Sequence, residues 1–317
     1  MRDAETRPFK SAVAQPDFAV DKSQWECIKE NIGVWQGSFM QFSPEGELVK
    51  DTPSVLKLEE TEPDQTMVLT LERMPADEPK KVNNLTFTYP GPAPYTYFFR
   101  CGAFSQGSSQ WSSFGQFVTE FSLKVCDRRV RFVVAYDSTQ RYTSALKYVT
   151  LICETQPGGT QFKAQSLTIN QLLGEWKGVG EVLDPIDGSF REHGGSRWKL
   201  AKMSDEGFSL CSEEMLGEST CGVVLESGGA IAPQQPIDFN AVEDGQDYRL
   251  MLLSKGAYCL LPREIRQNSE FRIEVGWVSE TKVRSRFIRY YDPRGVWTHS
   301  ALIEDKNTED ENTEDKK

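Results

Sequence analysis

The sequence predicts an all-β protein built from two tandem antiparallel β-barrels. The first observation behind this prediction is an internal repeat, in which residues 102–146 recur as residues 256–302. Within the repeat, Phe117-Val-Thr-Glu-Phe121 corresponds to Phe271-Arg-Ile-Glu-Val275 at an offset of 154 (271 − 117). Two stretches that keep the same order and spacing over this length predict two copies of one fold.

The second observation is that both halves begin with the same features in the same order. A short helical pattern leads into Gly33-Val-Trp35-Gln-Gly37 in the first half and into Gly174-Glu-Trp176-Lys-Gly178 in the second. A turn rich in Pro and Gly then follows each motif, at Ser43-Pro-Glu-Gly46 and at Asp184-Pro-Ile-Asp-Gly188. This common beginning predicts that each half folds from the same first strand.

The third observation is the alternation of apolar and polar residues through the remainder of each half. Runs such as Met67-Val-Leu-Thr-Leu71 and Tyr248-Arg-Leu-Met-Leu-Leu253 read as strands, and turn residues separate them. Many short strands without long helices between them are typical of antiparallel meanders that close into barrels. Closure also removes the exposed edges that such sheets would otherwise present.

The domain boundaries follow from where these patterns begin and end. The break between the halves falls at Gln156-Pro-Gly-Gly-Thr160, and the C-terminal segment repeats Asn-Thr-Glu-Asp with no hydrophobic residue. A segment without apolar residues cannot offset the entropy of ordering, so it is predicted to be disordered. The predicted units are a flexible arm (1–22), a first barrel (23–155), a linker (156–163), a second barrel (164–305) and a disordered acidic tail (306–317).

Composition excludes several classes of partner. The chain has 36 Lys and Arg against 47 Asp and Glu, a net charge of −11, which disfavours nucleic acids and anionic membrane surfaces. No apolar run is long enough to span a bilayer, so we expect no integral membrane protein. Seven cysteines without a Cys-x-x-Cys pair, and only two histidines (His193 and His299), predict a reducing compartment, no metal centre and no cofactor.

Two stretches carry a resemblance to a known family. Gly37-Ser-Phe-Met-Gln-Phe-Ser-Pro-Glu-Gly-Glu-Leu48 and Arg286-Phe-Ile-Arg-Tyr-Tyr-Asp-Pro-Arg-Gly-Val-Trp297, together with the repeat, resemble an uncharacterised tandem lipocalin-like family of the calycin superfamily. That family occurs in cyanobacteria and photosynthetic eukaryotes. The resemblance implies a chloroplast stroma or a cyanobacterial cytoplasm, and a barrel that holds a hydrophobic or amphipathic small molecule such as a tetrapyrrole, carotenoid or fatty-acid derivative.

The resemblance also implies a structural role for two tryptophans. In calycins the tryptophan of the Gly-x-Trp motif closes the floor of the barrel, and an arginine from a late strand lies across its ring by a cation–π contact. Carried onto this sequence, Trp35 pairs with Arg131 and Trp176 pairs with Arg286.

Candidate ligand contacts lie in the last strands of the second half. Alternation places Arg286 and Tyr290 on one face of their strand and Arg289 and Tyr291 on the other. A buried arginine needs a partner, which a ligand carboxylate supplies in bidentate geometry, unless acids of the chain such as Glu274 supply it instead. The candidate ligand-binding residues are Arg286, Arg289, Tyr290, Tyr291, Trp277 and Trp297.

Three functions are compatible with these features. The first is a carrier for a hydrophobic small molecule. The second is a lyase, isomerase or cyclase that acts on such a ligand, for which His299, Tyr290 and Glu274 are weak candidate catalytic residues, because histidine titrates near neutral pH. The third is an assembly factor that acts through its surface on an unidentified protein partner, because small barrels can be filled by their own side chains. The sequence leaves the choice between enzyme and binding protein open.

Overall fold

A computed structural model describes residues 22–308, apart from 141, 163–165, 204–205, 217–218, 229–234, 243–244 and 281–282. The predicted flexible arm lies outside the described residues, except for Lys22. The predicted acidic tail lies outside them from residue 309 onwards, and its first two residues belong to the last strand, which ends at Asn307.

The described chain is almost entirely antiparallel sheet, with 65% of residues in strands and 3% in helices. It forms two barrel-like units, which confirms the predicted all-β tandem fold. The second unit is a closed barrel of ten strands, whereas the first is a strongly curled sheet that stays open.

The first unit begins with one short helix and continues as a meander. Its strand order is β4-β3-β2-β1-β9-β8-β7-β6-β5, so β4 and β5 form the two edges of the path. The elements are α1 (Gln24–Lys29), β1 (Gly33–Phe42), β2 (Leu48–Glu62), β3 (Thr66–Arg73), β4 (Lys81–Thr88), β5 (Tyr97–Phe98), β6 (Phe104–Gly107), β7 (Phe117–Val125), β8 (Arg128–Gln140) and β9 (Thr143–Thr155).

The second unit begins with a single 3₁₀ turn, Ile169–Gln171, where the sequence predicts a second short helix. Its barrel closes in the order β10-β11-β12-β13-β14-β15-β16-β18-β19-β20, and β17 pairs with β9 of the first unit. The strands are β10 (Gly174–Leu183), β11 (Phe190–Lys202), β12 (Phe208–Leu216), β13 (Ser219–Ser227), β14 (Ile237–Ala241), β15 (Tyr248–Leu252), β16 (Ala257–Pro262), β17 (Glu264–Arg266), β18 (Phe271–Glu280), β19 (Val283–Tyr291) and β20 (Trp297–Asn307).

Both units start from the same local interaction, a capping box. In α1 the Ser23 amide donates to the Glu26 carboxylate at 2.8 Å, while the Glu26 amide donates to the Ser23 hydroxyl. In the 3₁₀ turn the Thr168 amide donates to the Gln171 side-chain oxygen at 2.9 Å. A polar side chain three residues after the cap thus satisfies an amide that the helix leaves unpaired in each half.

The two glycines of each Gly-x-Trp-x-Gly motif serve the backbone. Gly33 and Gly174 have φ angles of +135° and +103°, which L side chains rarely adopt, and they turn the chain from the helix into the first strand. Gly37 and Gly178 lie against the neighbouring last strand, where a Cβ atom would collide with the carbonyls of Cys153 and Glu304. The glycines of the motif therefore allow β1 to pack closely against β9, and β10 against β20.

The two units share one hydrophobic core, formed where their outer faces meet. Phe121 and Phe132 of the first unit belong to the same buried cluster as Val275 and Phe287 of the second. The Phe121 and Phe287 rings meet edge to face with centroids 5.4 Å apart. The strands at this contact are therefore buried on both faces, one toward the partner unit and one toward their own interior.

The close approach at Gly37 generates a prediction. Substitution Gly37→Ala forces the Cβ atom against the Cys153 carbonyl, and overpacking of this kind costs about 1–3 kcal/mol of unfolding free energy. Thermal unfolding followed by circular dichroism measures the change. Gly115→Ala is the control, because no atom lies within 4 Å of its added Cβ and its melting temperature should stay unchanged. Equal melting temperatures for both variants would show that the strand contact tolerates the added methyl group.

Candidate functional site

The interior of the closed barrel holds a layer of charged side chains. Three arginines and three carboxylates lie there, none of them more than 3% exposed, and their formal charges cancel. They come from inward positions of strands β12, β18, β19 and β20, and the outward positions of β18, β19 and β20 contribute to the shared core. The members of this network are Glu214, Arg272, Glu274, Arg284, Arg286 and Asp305.

Arg286 lies at the centre of the network. Its Nε donates to Asp305 Oδ2 at 2.5 Å, and its Nη1 donates to Glu214 Oε1 at 3.1 Å. A second arginine, Arg272, bridges the same glutamate to Glu274, with donor–acceptor distances of 2.8 and 3.3 Å. Ser196 accepts a further hydrogen bond from Arg286. Acids of the chain therefore supply the partner that a buried Arg286 needs, and they include the predicted Glu274, whose carboxylate lies 3.6 Å from Arg286 Nη1.

The network lowers the pKa values of two of its acids, Asp305 and Glu214. Burial would raise the pKa of the Asp305 carboxyl, but the Arg286 and Arg284 charges outweigh it and hold that pKa below its ordinary value. In Glu214, burial is likewise outweighed by Arg272 and Arg286, which lower the pKa of the carboxyl. The paired charges stabilise one another in a place where an isolated charge would be neutralised.

A tryptophan pair covers one side of the network. The Arg284 guanidinium lies 4.5 Å from the ring centroid of Trp176 and 4.1 Å from that of Trp198. Arg284 also donates to Asp305 at 2.9 Å, so one residue joins the aromatic layer to the charged layer. The Trp176 indole donates to the Leu172 carbonyl at 3.0 Å, which fixes the ring at the start of the barrel.

The first unit contains a smaller form of the same arrangement. Arg129 lies 4.3 Å from the Trp35 ring centroid and donates to Glu154 at 2.8 Å. Arg131 donates to the same carboxylate at 3.1 Å and to Glu120 at 2.8 Å. Two arginines again face two carboxylates, and Glu120 is the repeat counterpart of Glu274.

The predicted identity of the arginines over the two tryptophans was wrong by two residues. Arg129 covers Trp35 and Arg284 covers Trp176, whereas Arg131 and Arg286 lie one inward position further along their strands, among the carboxylates. The physical reason is the period of two, because residues two apart share a face and the pattern alone does not say which of them meets the ring.

The structure separates the predicted ligand-binding residues into two groups. Arg286 and Tyr290 point into the barrel, whereas the other four point outward, toward the first unit. The outward group consists of Trp277, Arg289, Tyr291 and Trp297.

Arg289 anchors the outward group to the first unit. Its guanidinium lies 3.6 Å from the Trp297 ring centroid and donates to the Ser108 carbonyl at 2.9 Å. Burial lowers the pKa of Arg289 to about 10. The Tyr291 ring stacks on Phe271 at 4.5 Å. These residues form a contact between the two units.

Trp277 lies at another part of the same contact. Its indole donates to the Lys255 carbonyl at 3.2 Å, and its ring meets the ring of Phe162 at 5.7 Å. The Arg128 guanidinium of the first unit lies 5.4 Å from its centroid. Trp277 therefore packs between the linker region and the first unit.

The candidate catalytic residues lie at two depths inside the barrel. Tyr290 and His299 stack with ring centroids 4.2 Å apart, and the Tyr290 hydroxyl donates to Glu214 at 3.2 Å. Burial, followed by the Glu214 charge, raises the pKa of Tyr290 well above its usual value, which keeps the phenol neutral. Glu274 is held deeper, by Arg272. The side chain of His193 lies outside the described residues.

Sequence reasoning missed four members of the network: Glu214, Arg272, Arg284 and Asp305. Two signals could have found two of them. Arg284 and Arg129 occupy equivalent repeat positions, at the offset of 155 that also relates Arg286 to Arg131, which marks that position as structural in both halves. Glu214 follows Leu210 and Ser212 at intervals of two, which places all three on one face of β12. In the part of the chain that the structure describes, no three His, Cys, Asp or Glu side chains are grouped to hold a metal ion.

Comparison with known proteins relates both halves to defined families. Residues 21–159 match the model described as "Domain of unknown function (DUF3598), N-terminal". Residues 163–308 match the C-terminal domain of "Biogenesis factor required for ATP synthase 1". A solved structure of a DUF3598 protein of unknown function from Nostoc punctiforme PCC 73102 is 30% identical, with a TM-score of 0.79, and the alignment covers 91% of this chain and 100% of that one.

The chain belongs to the DUF3598 family. A porin of Rh. blastica also aligns, at 7% identity and a TM-score of 0.16 over 87% of this chain and 98% of the porin, which carries no argument. The search of curated proteins finds no match. The resemblance of this DUF3598 protein to lipocalins stays a prediction. Within the described residues, no helix has the length and apolar character needed to cross a membrane.

The buried carboxylates of this DUF3598 protein predict an acid-sensitive fold. Because the pKa values of Asp305, Glu214 and Glu154 are lowered in the folded state, their stabilisation is present above the unfolded pKa of about 4 and is lost as pH falls through the folded pKa. Melting temperature, measured from pH 7 down to about pH 2, should therefore fall steeply below about pH 4.

The variant Asp305→Asn should lose about 3–5 kcal/mol at pH 7, because two buried arginines lose their charged partner, and its acid dependence should be shallower. Glu304→Gln is the control, since this exposed acid lies next to Asp305 on β20. If Asp305→Asn and Glu304→Gln show the same stability and the same acid dependence, the network does not stabilise the fold.

Proposed function

We propose that this protein is an assembly factor that acts through contacts of its outer surface with another protein. The observation that carries the proposal is the filling of the closed barrel by the chain's own charged and aromatic side chains. Arg284, Arg286 and Trp176 lie inside it with at most 1% of their surface exposed. A small barrel either holds a ligand or is filled by side chains, and here charged and aromatic side chains lie in the described interior.

Entry of an anionic ligand into this barrel would break existing pairs. A ligand carboxylate at Arg286 would have to displace Asp305 or Glu214, both of which already bind it. Removal of one partner from a buried ion pair costs about 3–5 kcal/mol, which the ligand would have to offset before it gained any affinity. The paired charges of the interior therefore favour a structural role for these side chains, and we place the function on the outer surface of the protein.

The partner class that we propose is a subunit of an ATP synthase. The support is the match of the second half to a domain whose family is named for biogenesis of that enzyme. All seven cysteines are free thiols, which suits the reducing chloroplast stroma or cyanobacterial cytoplasm that we propose as its location. The net charge of −11 favours a partner surface with a positive charge.

A second candidate function is the binding of a lipophilic small molecule outside the barrel. A groove of about 740 Å³ lies where the two units meet, and its size is within the usual range for ligand sites of about 300–1,000 Å³. Its lining combines apolar side chains from β1, β2, the linker region and the residues at and just after the end of β15 with polar groups. The apolar members include Met40, Phe42, Leu48, Phe162, Leu252 and Leu253.

The assembly-factor proposal predicts a defined protein complex. Purified full-length chain, mixed with purified ATP synthase subunits one at a time, should form a stoichiometric complex with at least one of them, measured by size-exclusion chromatography and calorimetry. The control is an unrelated protein with the same net charge, because charge attraction alone would let it bind equally well. Protein purified from its native source should carry no ligand in stoichiometric amount by mass spectrometry of its extract.

Two outcomes would reverse this proposal. If no subunit binds at physiological salt, the chain does not act on ATP synthase as proposed. If a stoichiometric lipophilic molecule co-purifies and is lost in the variant Leu48→Glu, the groove is a ligand site and the carrier function is correct. Leu48 suits this test because it lines the groove and is exposed, so the substitution should leave the fold intact.

A further inference from the structure

The two units can be aligned strand by strand through one row of cross-strand residue pairs. In each unit the row starts at the first glycine of the Gly-x-Trp-x-Gly motif and then passes through one leucine on each following strand. The row is Gly33, Leu58, Leu69 and Leu85 in the first unit, and Gly174, Leu200, Leu210 and Leu225 in the second. Strand β4 is therefore the counterpart of β13.

The row ends differently in the two units. In the second unit Leu225 pairs with Ala241 on β14, and β14 continues the sheet to β15, which closes the barrel. In the first unit the row stops at Leu85, because β4 is the last strand of the path among the described residues. The described part of the first unit thus contains no counterpart of β14.

The missing strand leaves apolar side chains uncovered. Leu225 is 1% exposed beneath β14, whereas its counterpart Leu85 is 52% exposed. Leu69 and Leu71, on the same inner face of the neighbouring strand β3, are only half-buried. A contiguous apolar face at a sheet edge typically marks an interaction site.

The backbone of β4 is also available for pairing. The Tyr89 amide donates to the Gln65 carbonyl at 2.9 Å, so odd-numbered residues of this strand bond to β3. The backbone N–H and C=O groups of successive residues point to opposite sides of an antiparallel strand. Val82, Asn84 and Thr86 therefore direct these groups away from β3.

The opposite edge of the sheet is already blocked. On β5, the Gln24 side-chain amide donates to the Phe98 carbonyl at 3.0 Å and accepts from the Phe98 amide at 2.7 Å. A side chain of α1 thus replaces a neighbouring strand there. On the described β4 edge, Val82, Asn84 and Thr86 direct backbone groups outward for a partner, whereas the Thr88 carbonyl already accepts from the Gly91 amide at 3.2 Å.

We propose that an extended segment of the partner protein adds to β4 as a further strand, at the place that β14 occupies in the second unit. This inference rests on the proposed function, which supplies a protein partner. The chemistry of the segment follows from β14, in which Ile237 and Phe239 face the barrel and Asp238 and Asn240 face outward. The partner segment carries apolar side chains at alternate positions, and main-chain hydrogen bonds to β4 supply the remaining affinity.

The charge of the chain favours a different protein over a second copy. Two copies that each carry a net charge of −11 repel one another. Strand β4 itself contains no acidic residue and begins with Lys81, so a neutral partner segment, or one with an acidic residue opposite Lys81, meets no repulsion along it.

The test uses two substitutions at one edge position. Thr86→Pro removes an N–H that points away from β3 and leaves the ladder to β3 intact, since proline is tolerated on edge strands. Thr86→Ala is the matched control, because it shortens the same side chain and keeps the N–H. With the ATP synthase subunit that binds the parent chain, Thr86→Pro should raise the Kd at least tenfold, whereas Thr86→Ala should change it by less than about twofold.

Hydrogen exchange gives an independent readout. In the complex, the amides of Asn84 and Thr86 should become protected, and in the free parent chain they should exchange rapidly. Protection of these amides in the free chain would show that the edge is already occupied by the chain itself or by a second copy, and it would overturn the proposal. Equal Kd values for Thr86→Pro and Thr86→Ala, with both variants folded by circular dichroism, would overturn it too.

The failure of this inference is distinguishable from failure of the proposed function. If a subunit binds the parent and both variants equally, the assembly role stands and the β4 site is wrong. If no subunit binds, a synthetic peptide with the sequence of residues 236–242, which includes β14, replaces the subunit as the probe. Protection of Asn84 and Thr86 in the parent chain by this peptide, with the protection of Asn84 lost in Thr86→Pro and kept in Thr86→Ala, would support the site. No protection at millimolar peptide would overturn it.

Discussion

The fold depends on ion pairs buried inside each unit between arginines and carboxylates. A single charge in such a place costs several kcal/mol, so the arrangement is stable only because the charges are matched. The closed barrel matches three arginines with three acids, and the curled sheet matches Arg129 and Arg131 with Glu154 and Glu120. In each unit a tryptophan of the first strand covers one arginine, which links the Gly-x-Trp-x-Gly motif to the last strands of the same unit.

The same repeat serves two purposes in one chain. In the second unit, β14 completes the wall, and buried charged and aromatic side chains lie in the described interior. In the first unit the row of leucines ends at an open strand, while part of the outer face of each unit is buried in their contact with each other. The exposed edge of β4 is the part of the outer surface on which the proposed assembly role is based.

The sequence was sufficient to predict the tandem all-β fold, because repeat spacing and strand alternation are local properties of the chain. It could not predict the open edge, since β4 and its counterpart β13 carry similar alternating residues and the difference is the absence of a later strand. It also could not predict which face of β19 points into the barrel and which packs against the first unit. Alternation separates Arg286 from Arg289, but both faces are buried here, one in the barrel and one against the first unit. The partners Glu214 and Asp305 are distant in sequence from Arg286, so only the closed barrel brings them together.

A double-mutant cycle on Arg272 and Glu214 tests most directly whether paired charges hold the barrel. The two residues bond at 2.8 Å, and the repeat counterpart of Arg272 is the neutral Val118, so the pair is peculiar to the closed unit. Unfolding free energies of Arg272→Gln, Glu214→Gln and the double variant should give a coupling energy of about 1–3 kcal/mol. The double variant should lose less unfolding free energy than the two single variants lose together. Additive effects, within about 0.5 kcal/mol, would contradict the account, because the charges would then contribute independently of one another.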